Sequence, residues 1–418
     1  MLSVLIVGSG GREHALAWAC QRASGINRVV VVPGNPGIRQ AGVETIPVDL
    51  ADLEAVCRIA DQAACSLIVI GPEAPLVGGL ADHLRARGHQ VLGPSRLAAR
   101  LEGSKAYAKA VMASCGVPTA RFATVSSSQA LEAAIDRFQG NVALKADGLA
   151  QGKGVWIASD LQDARQAGGR WLGTFGSLVV EERLTGPEIS VHALVCGDAV
   201  VALPLARDYK RRFDRDLGPN TGGMGAVAPV ASSISAADLV DLAIAPVARH
   251  LTAQGSPFQG VLYAGLMLTP DGPRVLEYNV RFGDPETEVL LPLLPPDAPE
   301  WLMAAATGRL EQAGPLPVAT DQAVGVVVVA NGYPTAQAPP QPIAFRTQGR
   351  GELLFWSGVA GDERHLLAGS GRVATAVGVG PTHAEARAAA YRLAESIHFS
   401  GSAYRRDIGT EPQVTSQP

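Results

Sequence analysis

Short apolar runs alternate with stretches of helical spacing through the first hundred residues. Residues 4–7, 29–32, 67–70 and 90–92 are continuous β-rich runs, of the kind buried on both faces in parallel sheets. Between them, residues 12–22 and 52–63 carry helical periodicity, with Leu53, Val56, Ile59 and Ala60 on one face. Gly8, Pro33-Gly34 and Gly71-Pro72 punctuate the strand ends. The pattern predicts an open, doubly wound α/β domain with a parallel sheet over residues 1–102.

A helix over residues 104–115 follows, stopped by Gly116-Val117-Pro118. A second unit over residues 121–187 has strands at 142–145, 155–157 and 178–181, with helices at 128–138 and 161–172. Residues 188–325 add strands at 188–195, 200–203, 262–268 and 274–280 and a helix at 236–253, and residues 314–317 read as a linker. The stretch 323–409, of which 326–409 forms a mixed α/β domain, has strands at 324–330, 352–356 and 373–379, a loop at 336–342 and a helix at 382–397. Residues 410–418 are polar, an expected disordered tail.

Composition narrows the function classes. The 418 residues are 47% hydrophobic and 18% charged, with 35 basic against 39 acidic side chains and a net charge of −4. That supports large cores and argues against a nucleic-acid or anionic-membrane partner. The five cysteines lack CxxC spacing and the N-terminus carries no basic, apolar leader, so a cytoplasmic protein with reduced thiols is expected. The eight histidines form no HxxxH or HxH pair, and no Ser/His/Asp arrangement emerges. Only five basic residues are lysines: Lys105, Lys109, Lys145, Lys153 and Lys210. A chain that otherwise uses arginine keeps lysine where a compact ammonium is needed, and all but Lys109 fall in the motifs below.

Gly8-Ser9-Gly10-Gly11-Arg12-Glu13-His14 follows a strand and opens a helix, the setting for a small-anion site or a plain tight turn. It is not a dinucleotide fingerprint: Glu13 occupies the third glycine position, and the second strand ends in Pro33-Gly34 without an acid. Gly71-Pro72-Glu73 lies at another strand's carboxyl end, where Glu73 could receive sugar hydroxyls or an amine, or simply end a stiff loop. Lys145 leads from a strand into a loop with Gly148, Gly152, Lys153 and Gly154, a glycine cover for phosphates without Walker A spacing. Glu181-Glu182-Arg183-Leu184, with Glu188 beyond, suits an adenine hinge and a ribose acid, though alone it also reads as a solvated strand end. Asp214 and the run Asn220-Thr221-Gly222-Gly223 present an acid and backbone donors after a basic segment. The sharpest motif runs from Glu277 to Glu288. Strand alternation puts Glu277, Asn279 and Arg281 on one face, a carboxylate and amide oxygen suited to a hard divalent cation beside a guanidinium clamp. A buried Glu277–Arg281 pair is the structural alternative.

Taken together, these segments and Leu101-Glu102-Gly103-Ser104-Lys105 resemble the glycinamide ribonucleotide synthetases (phosphoribosylamine–glycine ligases), a family of the ATP-grasp superfamily. The Glu-Tyr-Asn-x-Arg-Phe-Gly-Asp-Pro-Glu run carries most of the resemblance. It implies an N domain (1–102), an A domain (103–120 and 188–325), a mobile B lid (121–187) and a C domain (326–409). It implies ATP as co-substrate, Mg²⁺ or Mn²⁺, and glycine and 5-phosphoribosylamine as small-molecule substrates of de novo purine biosynthesis, in a monomer. By resemblance Lys105, Lys145 and the loop 148–154 meet phosphates. Glu181, Glu182 and Leu184 line the adenine hinge, Glu188 holds ribose, and Glu277 and Asn279 hold the metal. Lys145 and Arg281 are the catalytic candidates. Gly10, Gly11, Gly71, Pro72, Glu73, Asp214, Asn220, Thr221, Gly222, Gly223, Arg281, Gly283 and Asp284 face the substrates.

Three departures accompany the match: a short B unit between Asp160 and Leu178, Tyr209 where histidine is frequent, and Glu288 where glutamine is frequent. The strand at 262–268 supplies no carboxylate. Rival readings are a nicotinamide oxidoreductase, which lacks its glycine and ribose acid here, and a nucleotide-binding regulator without catalysis.

Overall fold

In the computed structural model, residues 2–149, 154–337 and 339–410 are described. Gly152 and Lys153 of the expected phosphate loop, and the expected disordered tail after Thr410, lie outside the described residues.

The apolar runs of the N-terminal region form a five-stranded parallel sheet in the order Glu44–Thr45, Ile26–Pro33, Leu2–Gly8, Leu67–Ile70, Val91–Leu92. Val4 to Val7 and Val30 to Val32 are fully buried, as strands covered on both faces require. The strand order reverses between Leu2–Gly8 and Leu67–Ile70. Their carboxyl ends, Gly8 and Ile70, therefore open a crevice at the topological switch point. Helix Gly11–Arg22 starts there.

The expected lid unit is a four-stranded antiparallel sheet of Phe122–Val125, Leu178–Glu182, Val142–Ala146 and Val155–Ile157. Helices Ser128–Arg137 and Leu161–Phe175 pack on it through Leu131, Ile135 and Ala164, a small core of its own. The next sheet, also antiparallel, runs Ala199–Ala202, Glu188–Cys196, Gln259–Thr269, Gly272–Asn279.

The last large sheet joins distant segments. Arg207–Asp208 and Gly225–Ala228 pair onward to Gln322–Val329, Arg372–Gly380 and Glu352–Trp356. Residues in the 207–228 stretch, expected to belong with the 188–325 unit, thus share a sheet with the C-terminal strands. Two other expectations differ in detail. The helix expected at 236–253 is two helices, Ala236–Ala243 and Ala245–Ala253, because Pro246 lacks the N–H that would continue one ladder. The linker expected at 314–317 is anchored, with Leu316 buried and the Gly314 carbonyl accepting from Trp301 Nε1 at 3.1 Å.

Candidate active site

Helix Lys105–Ser114 begins at Ser104, whose Oγ accepts from the Tyr107 N–H at 3.1 Å and donates to Asp147 at 2.9 Å. Lys105 and Lys109 are one helical turn apart and leave the same face. Lys105 Nζ donates to the Gly148 carbonyl at 3.2 Å, so the helix holds the first residues of the glycine loop. Lys109 is 1% exposed, and its Nζ lies 2.9 Å from Glu181 Oε2. The other oxygen of Glu181 lies 2.9 Å from Lys145 Nζ. Strands Val142–Ala146 and Leu178–Glu182 pair directly, which brings Lys145 and Glu181 to one sheet within the 121–187 unit. Burial, partly opposed by Glu181 and reinforced by Lys145, lowers the Lys109 ammonium to about 8.

The Gly272–Asn279 strand forms the opposing floor. Its register against Gln259–Thr269 shifts at Gly265/Leu266, which leaves Leu276 without a partner in the ladder. Lys145 Nζ takes the Leu276 carbonyl at 2.8 Å. Glu277, the next residue, makes no hydrogen bond or ion pair among the described residues. Burial pushes its carboxyl up, but Lys210, Lys145, Lys105 and Arg281 outweigh burial and hold it below the usual carboxylate range. Asn279 Oδ1 accepts from Arg281 at 3.3 Å, so both side chains face the same cleft. Arg281 also reaches Glu102 at 2.9 Å and Glu73 at 3.4 Å. Burial alone would lower its guanidinium; Glu102, Glu73, Glu286 and Asp284 raise it instead.

A third wall comes from the parallel-sheet crevice. The Gly10 N–H donates to Glu13 Oε2 at 2.6 Å, and Arg12 Nε meets Glu13 Oε1 at 2.6 Å. Gly71 must be glycine: a Cβ there would overlap the Glu13 carboxylate. A Cβ on Gly10 would lie 3.5 Å from Asp284 Oδ2, and one on Gly11 would lie 2.5 Å from Glu288 Oε1 and 2.7 Å from Ser357 Oγ. The 281–288 segment therefore meets the first glycine loop. Arg372, from the C-terminal sheet, closes this end by pairing with Asp284 Oδ1 at 2.9 Å and donating to the Asp284 and Gly222 carbonyls. Tyr333 OH accepts from the Gly222 N–H at 2.9 Å.

Most sequence candidates converge here. Lys105, Lys145, Gly148, Glu181, Glu277, Asn279 and Arg281 line one cleft, and Glu188 joins it through Lys210 Nζ at 2.9 Å. Gly154 returns to the lid sheet, its carbonyl accepting from the Ala146 N–H at 2.9 Å. Gly10, Gly11, Gly71, Glu73, Gly222, Gly223, Gly283 and Asp284 gather at the crevice end. Pro72 caps the short helix Glu73–Gly78. Thr221 Oγ1 donates to the Lys210 carbonyl and accepts from the Gly223 N–H at 3.0 Å. Three candidates are engaged elsewhere. Glu182 is paired with Arg121 at 2.6 Å, Asn220 is a strand partner of Arg211, and exposed Asp214 accepts from the Arg406 N–H at 2.8 Å. Leu184 is half-buried.

Sequence reasoning missed Lys109, Glu102, Arg372, Tyr333 and Ser357. The spacing of four from Lys105 signals Lys109, and Glu102 sits in the Leu101–Lys105 segment that carries part of the resemblance. Arg372, Tyr333 and Ser357 carry no local signal. No group of three or more His, Cys, Asp or Glu among the described residues could hold a metal ion. Glu277 and Asn279 nevertheless fit a divalent cation whose other ligands are phosphate oxygens and water. One is an ionised carboxylate without a bonded partner among the described residues, and the other is an amide oxygen on the same face.

A lysine-bearing antiparallel sheet over a carboxylate-bearing strand, beside a parallel-sheet crevice, defines an ATP-grasp protein. Family models of phosphoribosylglycinamide synthetase match in three parts: the N domain over residues 2–102, the ATP-grasp (A) domain over 103–287 and the C domain over 323–411. The chain belongs to the phosphoribosylglycinamide synthetase family. It is similar to the phosphoribosylamine–glycine ligases of Rhodopirellula baltica (41% identical, 99% of this chain and 98% of that one) and Caulobacter vibrioides (41%, 98% of each). The crystal structure of the Thermotoga maritima phosphoribosylamine–glycine ligase superimposes with a TM-score of 0.85 at 38% identity, covering 97% of this chain and all of that one.

Proposed function

We propose that this chain is an ATP-dependent carboxylate–amine ligase that joins glycine to 5-phosphoribosylamine, giving glycinamide ribonucleotide, ADP and phosphate in purine biosynthesis. The observation that carries the reading is Glu277, a carboxylate in the cleft kept ionised by four cations while bonded to none of them, opposite the lid lysine Lys145. A structural acid in that position would be paired.

The chemistry needs no covalent enzyme intermediate. A glycine carboxylate oxygen attacks the γ-phosphorus of ATP and ADP departs, leaving glycyl phosphate. The amine of phosphoribosylamine then attacks the acyl carbon, loses a proton, and phosphate leaves. Lys105 and Lys145 would neutralise phosphate oxygens, and Arg281 would orient the reacting carboxylate or phosphoryl group. A Mg²⁺ or Mn²⁺ ion held by Glu277 and Asn279 would supply further charge neutralisation. The unit over 121–187, with Gly148, Gly152, Lys153 and Gly154, acts as the lid that keeps water from the acyl phosphate. Backbone groups at Glu182 and Leu184 would hold adenine and Glu188 the ribose. The Gly10-Gly11 and Gly71-Pro72-Glu73 turns would receive phosphoribosylamine, and Gly222, Gly223, Gly283 and Asp284 would adjoin glycine.

Phosphate release measured with each substrate omitted in turn tests the reading. Release should require ATP, glycine and phosphoribosylamine together. Equal turnover with another carboxylate–amine pair would refute the substrates, and ATP binding without any release would favour a regulator.

A further inference from the structure

We propose that Lys109 is a positioning residue for the phosphate-binding lysine Lys145, acting through the carboxylate of Glu181 that the two lysines share. This rests on the ligase reading only in that Lys145 meets a nucleotide phosphate.

The two oxygens of Glu181 are divided, one to Lys109 and one to Lys145, each at 2.9 Å. All three residues are at most 5% exposed. With Lys109 present the trio carries a net positive charge. Without it, Glu181 would cancel the charge of Lys145 in a dry site, where Coulomb interactions are strong. An ammonium has three N–H groups. Lys145 gives one to the Leu276 carbonyl and lies 2.9 Å from Glu181 Oε1 as an ion pair without hydrogen-bond alignment, so the Glu181 charge steers the ammonium while its other N–H groups stay available to be aimed. Lys109 is anchored independently. It donates to Thr119 Oγ1 at 2.6 Å, and Thr119 donates to the Val275 carbonyl at 2.6 Å. The two lysines thus grip adjacent carbonyls of the strand that carries Glu277, one directly and one through Thr119. The groups facing Lys109 are Glu181 and Lys145 from the lid sheet, Glu277 from the floor and the Phe122 ring at 5.9 Å. Lys109 takes no direct part in the ligase chemistry, yet it fixes both the net charge and the direction of Lys145.

Calorimetric titration with ATP, on the full chain, tests this. Lys109→Met should weaken ATP binding at pH 7 by about tenfold or more. Lys109→Met combined with Glu181→Gln should recover most of that loss, because the carboxylate that cancels Lys145 is gone. Wild-type affinity should also fall as pH rises past about 8, where Lys109 loses its proton. Lys109→Arg, which keeps its charge, should lack that limb, and a purely structural lysine would not move it. If Lys109→Met fails to fold, the Arg variant's pH profile decides. ATP affinity unchanged in Lys109→Met, a double variant no better than the single, or a persistent limb in Lys109→Arg overturns the proposal. A wild-type chain that binds no ATP refutes the ligase reading instead, and this inference with it.

Discussion

Lys145 donates to the carbonyl of Leu276 at 2.8 Å, a side chain of the 121–187 unit taking a carbonyl of the residue that a bulge leaves unpaired in the floor strand. The bulge thereby does two things. It ties the Val142–Ala146 strand to the floor, and it brings Glu277, one residue on, near the same ammonium without bonding to it. Glu277→Ala should abolish ligation, reducing phosphate release by at least about a hundredfold while the chain stays folded. Full activity at saturating Mg²⁺ would remove Glu277 from the metal role.

Arg281 is held by Glu102 at 2.9 Å, and the second oxygen of Glu102 accepts the Val280 N–H at 2.8 Å. Removing the guanidinium leaves Glu102 buried without its cation. Arg281→Met should therefore destabilise the chain by roughly 3–5 kcal/mol in urea unfolding. Adding Glu102→Gln should recover part of this. Additive losses would show that the two side chains are not coupled.

How much of this was legible in the sequence depends on the range of the contact. The parallel sheet was readable because its strands are continuous apolar runs, and Glu277, Asn279 and Arg281 because alternation is local. The first glycine loop and Gly71-Pro72-Glu73 were placed together by the rule for strand carboxyl ends. The bulge at Leu276 was not readable, since register depends on the partner strand. Nor was Arg372, which reaches Asp284 only because Arg372–Gly380 joins a sheet that also contains Gly225–Ala228. The split at Pro246 was a local signal that helical periodicity masked.

His14 and His192 set an acid limit on stability. Burial lowers His14 to about 4 and His192 to about 3, against an ordinary value of 6.5. The unfolded chain therefore binds more protons than the folded one below about pH 6.5, and stability falls as pH drops through that window. A tenfold change in proton affinity is worth about 1.4 kcal/mol, so each histidine removes a few kcal/mol once the pH is well below its ordinary value. Urea midpoints should decline steadily from pH 7 to pH 5. His14→Gln, which keeps an acceptor for the Trp356 N–H, should flatten part of the slope. An unchanged slope would mean that His14 protonates in place.

Gly71 and Glu13 test the crevice. A methyl group at position 71 would displace the Glu13 carboxylate that accepts the Gly10 N–H. Gly71→Ala should cost about 1–3 kcal/mol of stability, as overpacking does. It should raise KM for phosphoribosylamine more than KM for ATP. Equal changes in both would place the loop outside the amine site.

Arg372 ties the C-terminal sheet to Asp284 and Gly222. It pairs with Asp284 through both carboxylate and carbonyl and holds the Gly222 carbonyl, so it fixes two segments proposed to adjoin glycine. All three contacts come from Nη1, and a lysine would keep the charge but carry its ammonium on a stem one bond shorter, drawn back from them. Arg372→Lys should then lower kcat/KM for glycine by about 10–100-fold, since shifting a substrate-positioning segment by about 1 Å can cost about a hundredfold. ATP affinity should hold, because Lys105 and Lys145 do not touch this corner. Steady-state kinetics against each substrate, with ATP binding measured separately, decides the matter: a loss shared equally between ATP and glycine would mean that Arg372 supports the fold rather than the glycine end of the cleft.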